Sequence, residues 1–366
     1  VRITLATEAH DAQLRGLCRA LPMPGWIRLA FTREPDWFSG QAVYGHFNQT
    51  LVAEDEAGTV SACGFRSVRR VYVNGKECDL GYLGGLRSLL ASRRVGGVAR
   101  GYRVLRQLHA DGRTPAYLTA IVEDNALARG LLTSGRAGLP EYRDLGGFIT
   151  SAVSLGTFRR GRPVPAGLVI RSGAEVPLPD VLAFLHDEGL RRQFFPVLEA
   201  KDLATPRWRD FAAADFLVAV SGDAIVGVTA TWDQHGYKQA LVTGYTPVMR
   251  LARPWLNAGL RLAGCRPLPR VGEEMAFLYT AFTCVRNNDP DVLAALFGQV
   301  HARHRGSPHH YFVVSFHETD PLRCALRHFL TFNYASRLYL ASWEDGRRLA
   351  DELDPQRVLH IEPGTL

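Results

Sequence analysis

Two pairs of segments recur along this chain in the same order, and they constrain its fold more than any other feature. "LVAEDEAGTVSAC" (51–63) and "LVAVSGDAIVGVT" (217–229) align without a gap. Each reads as a strand, a tight polar turn and a second strand. Further on, "AYLTAIVEDNALARGLL" (116–132) is answered by "YFVVSFHETDPLRCALRHF" (311–329), each a strand, a polar turn and a helix. Chance can produce one such echo; two in the same order predict an internal duplication. The 366 residues leave room for two domains. The echoes are offset differently because "TPVMRLARPWLNAGLRLAGCRPLPRV" (246–271) has no counterpart in the first half. The linker falls in "GTFRRGRPVPAG" (156–167), which is rich in Gly, Pro and Arg.

The first half can be read in order. "VRITLA" is a strand and "DAQLRGLCRAL" a helix. Strands follow at Thr50–Glu54 and Thr59–Val73, and Asn74-Gly75 marks a hairpin into a strand from Glu77 to about Leu89. A helix then places Val98, Tyr102, Leu105 and Leu108 on one face and Arg100, Arg103 and Arg106 on the other. A strand at Tyr117–Val122, a helix from Asn125 and strands near Phe148–Leu155 close the half. Strands that alternate with helices after a hairpin series predict a mixed α/β sheet.

The stretch "SRRVGGVARGYRVL" (92–105) sets two arginines and two glycines where that helix begins. Free N–H groups at a helix start carry partial positive charge. Gly96 and Gly97 leave the main chain open to a bulky anion, and Arg93 and Arg94 add charge. Composition alone leaves two readings open, a plain loop before a helix and a cradle for a phosphate. It is neither a G-x-G-x-x-G dinucleotide loop nor a Walker loop.

In context, the stretch resembles the acetyl-CoA loop of the GNAT N-acetyltransferase superfamily, [QR]-x-x-G-x-[GA], matched by Arg94-Val95-Gly96-Gly97-Val98-Ala99. "LGYLGGLRSLLASRR" resembles the family's fourth strand, and Asn125, Ala128 and Leu131 match its N-x-x-A-x-x-L helix. The motifs cover roughly residues 1–155; residues 165–345 are matched only in strand order. The resemblance implies an α/β fold of two tandem GNAT-like mixed-sheet domains. Residues 1–157 would be a catalytic domain with the acetyl-CoA site and 166–345 a degenerate copy, with a tail at 346–366. In the copy, Asn287-Asn288-Asp289-Pro290 stands where the basic glycine loop should be, and its aspartate would repel a diphosphate.

What the resemblance implies is acyl transfer from acyl-CoA to an amine by direct attack. Val95 to Ala99 would hold the diphosphate, and the main chain near Arg87, Ser88 and Leu89 would pair with the pantetheine and polarise the thioester. Arg94 and Asn125 would complete the cofactor contacts. The family often places a proton-donating Tyr seven residues after that Asn, but this chain has Leu132 there. Either Tyr142 takes that role or no side chain does, and Glu123, Glu34 and Asp79 are the candidate bases. Trp26, Arg33, Trp37 and Tyr82 are the candidate acceptor residues, with Phe38 beside them; the alternative for the aromatics is core packing. A tandem-GNAT aminoacyl transferase and a CoA-binding sensor without turnover remain the other readings.

Several classes drop out. No apolar run approaches the roughly 18 residues that span a membrane, so no membrane partner is expected. The net charge of +7 is spread out, with no long basic run, so nucleic acid is not indicated. Six scattered cysteines form no CxxC pair, which fits a reducing cytoplasm. Cys63, Cys78 and Cys284 read as core. "HARHRGSPHH" (301–310) has no carboxylate or Cys at ligand spacing. No metal is expected there, and its histidines read as a solvated helix end.

Overall fold

A computed structural model describes residues 1–89, 95–135, 138–156 and 164–366. Arg94 and most of the expected linker lie outside the described residues. Twelve strands form one sheet. In chain order they are β1 (Arg2–Leu5), β2 (Phe47–Glu54), β3 (Val60–Val73), β4 (Lys76–Ser88), β5 (Tyr117–Val122) and β6 (Glu141–Ser154). The second half adds β7 (Leu168–Ser172), β8 (Phe216–Ser221), β9 (Ala224–Trp232), β10 (Phe277–Val285), β11 (Tyr311–His317) and β12 (Thr331–Ser342).

Across the sheet the order is β1-β2-β3-β4-β5-β12-β6-β11-β10-β9-β8-β7. The architecture is the expected mixed α/β one, and both halves run into one continuous sheet. β12 crosses from the second half to lie between β5 and β6, antiparallel to both. Reciprocally, β6 lies between β12 and β11. The pattern is the same read from either edge. Antiparallel strands lead to one parallel pair, β4 with β5 in one half and β10 with β11 in the other.

Helices cover both faces. On one face α1 (Asp11–Ala20), α2 (Trp37–Gln41) and α5 (Leu178–Gly189) bury Leu14, Leu17, Trp37, Val181, Phe184 and Leu185 in a core shared with Tyr82 and Phe282. On the other, α3 (Val95–His109) and α4 (Ala126–Leu132) pack Val98, Tyr102, Leu105, Ala128 and Leu132 on Leu83, Tyr117 and Ile121. Tyr82 and Leu83 thus point to opposite faces, as strand neighbours must. In the second half, α6 (Pro247–Leu262) sits beside a ribbon of Ile27–Thr32 and Gln239–Tyr245. There α7 (Pro290–His304) covers β8, β10 and β11 through Leu293, Leu296, Phe297 and Val300. No helix among the described residues is long and apolar enough to cross a membrane.

Candidate active site

β4 and β5 are parallel neighbours, yet only Gly81 with Tyr117 and Tyr82 with Leu118 pair between them. β4 continues to Ser88 and β5 to Val122, so beyond Tyr82 the strands part. The wedge between their carboxyl ends is where an open α/β sheet takes a ligand. At its edge β4 carries a bulge. Cys63 faces Arg87 and Phe65 faces Gly84, so Gly85 and Leu86 together oppose Gly64. Gly85 has φ +63°, and a Cβ there would stand 2.7 Å from the Phe65 ring. Only glycine fits that backbone.

Two hydrogen bonds fix which main-chain groups face the wedge. Gly81 N–H donates to Ala116 O at 2.9 Å, toward β5; Leu89 N–H donates to Ser61 O at 3.0 Å, toward β3. With the two-residue repeat of a strand, Leu83 and Ser88 present N–H groups to the wedge, and Arg87 presents its own to β3. Of the three expected main-chain groups, Ser88 lies on the wedge side of β4, whereas the Leu89 and Arg87 amides are turned to β3. The Arg87 guanidinium donates to Leu21 O at 2.7 Å, at the end of α1.

α3 begins six residues after Leu89 and runs back over the wedge. Its first amides carry the positive end of its dipole, and those of Val95 to Gly97 have no partner inside the helix. A Cβ on Gly97 would meet nothing within 4 Å. Ala99, expected in the diphosphate loop, is instead the fifth residue of α3, where the amide is turned back into the helix. Asn125 caps α4, its side chain accepting the Ala128 N–H at 3.1 Å. It is exposed, and what the structure gives it is the cap of α4.

The three candidate catalytic side chains are not brought together. Tyr142 and Tyr117 both stand opposite Ala341, so Tyr142 lies level with the closed end of the wedge. Its hydroxyl bonds that of Tyr102, and burial, then Tyr102, pushes it well above the usual phenol range. Glu123 is exposed at the end of β5, its N–H held by Ala335 O at 3.0 Å. Glu34 pairs with Arg15 at 2.5 Å and with Arg19, which makes it an anchor for α1. Asp79 is exposed, 3.8 Å from His46.

Of the acceptor residues, Trp37 is core, its indole N–H on Thr50 Oγ1 at 2.9 Å. Phe38 packs against that core. Trp26 is 71% exposed, beside the start of α6, where its carbonyl accepts the Thr246 N–H. Tyr82 and Arg33 fall in one cluster with groups the sequence did not single out. Arg33 donates to Tyr44 Oη and, at 2.9 Å, to Thr32 O. Lys238 lies 4.9 Å from the Tyr44 ring and 5.2 Å from that of Tyr279, and donates to Gly364 O at 2.7 Å. Arg69 lies 4.8 Å from the Tyr82 ring and donates to Thr365 Oγ1 at 2.6 Å. Arg207 stacks on Trp208 at 5.0 Å, its Nε without a partner.

Among the described residues, none of these four cations has a carboxylate within ion-pair distance. Burial pulls Arg69 down to about 10, burial and then Arg69 pull Arg207 to about 9, and burial, then Arg33, holds Lys238 well below its usual value. Burial pushes the Tyr82 phenol up, against Arg69 and the Ala120 amide across the wedge.

The second wedge differs. β10 and β11 pair at three positions and then part. Val228 faces Cys284 and Ala230 faces Ala281, so Phe282 sits at the bulge as Gly85 does in β4, with φ +53°. Its N–H donates to Glu362 Oε1 at 2.7 Å; Glu362 also holds His360 at 3.0 Å. At the start of α7, Asp289 accepts the Asp291 N–H at 2.8 Å. The chain's own carboxylates stand at both places.

The histidines of 301–310 are not a solvated helix end. His301 and His309 are buried, and the sheet and loops supply partners that the local sequence does not show. His301 bonds Gly156 O, His304 Thr231 Oγ1 at 3.2 Å, His309 Asp233 at 3.0 Å and His310 Ala276 O at 3.3 Å. Among the described residues no group of three or more ligating side chains fits a metal. Cys63 and Cys284 are buried, and burial pushes the Cys63 thiol up to about 12.

No protein-family description and no curated protein sequence matches the chain. Solved structures do. One is a fungal multi-domain β-N-acetylglucosaminidase with a GCN5-related glucosamine N-acetyltransferase region, at a TM-score of 0.55 and 11% identity, over 83% of this chain. This chain spans only 34% of that one. Another is N-myristoyltransferase of Saccharomyces cerevisiae with bound myristoyl-CoA, at a TM-score of 0.54 and 11% identity, covering 93% of this chain and 78% of that one. At such identity the likeness speaks for the fold, and the fold of this chain is that of the GCN5-related N-acetyltransferases.

Proposed function

We propose that this protein is an acyl-CoA-dependent N-acyltransferase with one CoA site, in the wedge between β4 and β5. The observation that carries the reading is the contrast between the two wedges. Both have the parted parallel strands and the bulge, but the second is filled by Glu362 and capped by Asp289. In the first, the equivalent places are the Gly85 bulge and the α3 amides at Val95 to Gly97. The halves are then copies of one unit, at 1–157 and 166–345, the second kept for structure and for shaping the acceptor side.

CoA, when bound, supplies the acyl thioester. The amides of Val95 to Gly97 hold its diphosphate, and the wedge edge of β4, from Leu83 through Gly85 to Ser88, orients the pantetheine and polarises the thioester carbonyl. The amine approaches from the face of Tyr82, Arg33 and Lys238. Arg69, Arg207 and Lys238 are buried, half-buried Arg33 stands beside them, and none has a carboxylate at ion-pair distance among the described residues; such cations are costly unless an anion joins them, so the acceptor carries a negatively charged group. The fold neighbours add an acyl-CoA precedent, since the yeast enzyme was solved with myristoyl-CoA.

Acetyl-CoA is the first donor to test, with thiol release followed for amino acids, amino sugars, peptides and uncharged amines. Release that depends on an anionic amine supports the reading. A second reading, a CoA-binding sensor without turnover, is favoured by the dispersal of Tyr142, Glu123 and Glu34. Binding of acetyl-CoA with no thiol released by any amine selects it.

A further inference from the structure

α6 faces outward with the wrong side for a helix of an isolated globule. At 100° per residue, Val248, Leu251, Trp255 and Leu262 fall within about a 60° arc, and they are 69%, 77%, 82% and 91% exposed. The inner side is satisfied. Met249 and Leu260 pack on the Ile27–Thr32 ribbon. Asn257 exchanges bonds with the Leu268 main chain, accepting its N–H at 2.7 Å, and Arg253 donates to Leu268 O at 3.0 Å. So the helix is fixed by one face and presents large apolar side chains on the other, where a soluble helix is polar.

The charge around it has one sign. Residues 246–271 hold Arg250, Arg253, Arg261, Arg266 and Arg270 and no Asp or Glu. Arg250 and Arg261 are exposed along one side of the apolar stripe, about 80–100° round the helix from Leu251, and Arg266 and Arg270 are exposed just beyond the helix. The first carboxylate after the segment, Glu273, is turned back onto the Arg270 amide. Trp26, at 71% exposure, lies beside the helix start.

We infer that α6 is an interfacial helix that seats the protein on an anionic lipid surface, with Val248, Leu251, Trp255 and Leu262 in the acyl boundary and the arginines at the phosphates. A membrane partner is not expected from the sequence because no run spans a bilayer; a helix lying in the interface needs none. An isologous contact between two copies would instead bring two acid-free arginine sets together and repel. The insertion of 246–271, unmatched in the first half, is then a membrane address added to one half only.

The test is co-sedimentation of the full chain with vesicles of phosphatidylcholine, with and without phosphatidylglycerol. Binding is expected to the phosphatidylglycerol vesicles and to weaken with salt. Leu251→Glu with Trp255→Glu lowers it at least about tenfold, and Arg250→Gln or Arg261→Gln about fivefold each. The unfolding midpoint stays unchanged, since none of these side chains packs inward. Absent binding to phosphatidylglycerol vesicles, or binding unchanged in the double variant, overturns the inference. So does a wild-type dimer that the double variant abolishes without any vesicle binding, which assigns the face to a second copy. The vesicle result does not depend on whether CoA binds.

Discussion

Replacing Gly97 by aspartate should weaken CoA binding roughly a hundredfold without harming the fold. Gly97 is the third residue of α3, and a Cβ there meets nothing within 4 Å. The substitution adds no clash, and an acid in the first turn favours the helix by about 0.5 kcal/mol. Its cost falls on the ligand. A carboxylate about 5 Å from one phosphate charge, at an effective dielectric of about 20, costs about 3 kcal/mol, roughly a hundredfold in affinity. Gly97→Asn has nearly the same bulk and no charge, so it should lose far less, and Gly97→Ala should bind within about twofold of the parent. Isothermal titration of acetyl-CoA into the three variants measures this, with unfolding midpoints as the check on folding. Parental affinity in a folded Gly97→Asp protein would refute the placement of the diphosphate on α3.

Other outcomes follow from the same structure. Glu362→Ala strands the buried Phe282 N–H and His360 ring. It should cost about 2–3 kcal/mol of stability by denaturant titration, with CoA still binding once per chain. Burial, then Arg303 and His309, lowers His304 from the usual 6.5 to about 4. The unfolded chain binds that proton first, so stability is full above pH 6.5 and falls as pH drops toward about 4. His304→Gln should flatten the fall in unfolding midpoints across that window. A fragment of residues 1–160 lacks β12, which pairs with both β5 and β6, and should aggregate; a soluble, CoA-binding fragment would contradict the shared sheet.

Strand positions in the first half were legible because alternation and the Asn74-Gly75 turn are local signals. Tyr117–Val122 was placed to the residue, and β4 within a residue or so. The crossing of β12 between β5 and β6 was not legible, since strand order depends on contacts some two hundred residues apart. The bulge escaped as well. "GYLGGLRS" shows two glycines but not that Gly85 takes φ +63°, and this moved the wedge-facing amides away from Arg87 and Leu89. The position seven residues after Asn125 is Leu132, and nothing local in the sequence shows that Tyr142, the next tyrosine along the chain, lies in register with the closed end of the wedge. Lys238 in "HGYKQALV" and Glu362 in "HIEPGTL" have no local signature. Their meaning comes from Tyr44, Tyr279 and Phe282, which approach them only in the folded chain.

The most direct test of a single CoA site is a crystal structure of the protein with CoA bound. The account predicts one CoA per chain, its diphosphate on the amides of Val95 to Gly97 and its pantetheine between β4 and β5 along the Gly85 bulge. Density for CoA between β10 and β11 with Glu362 displaced, or none in the first wedge at saturating ligand, would contradict it.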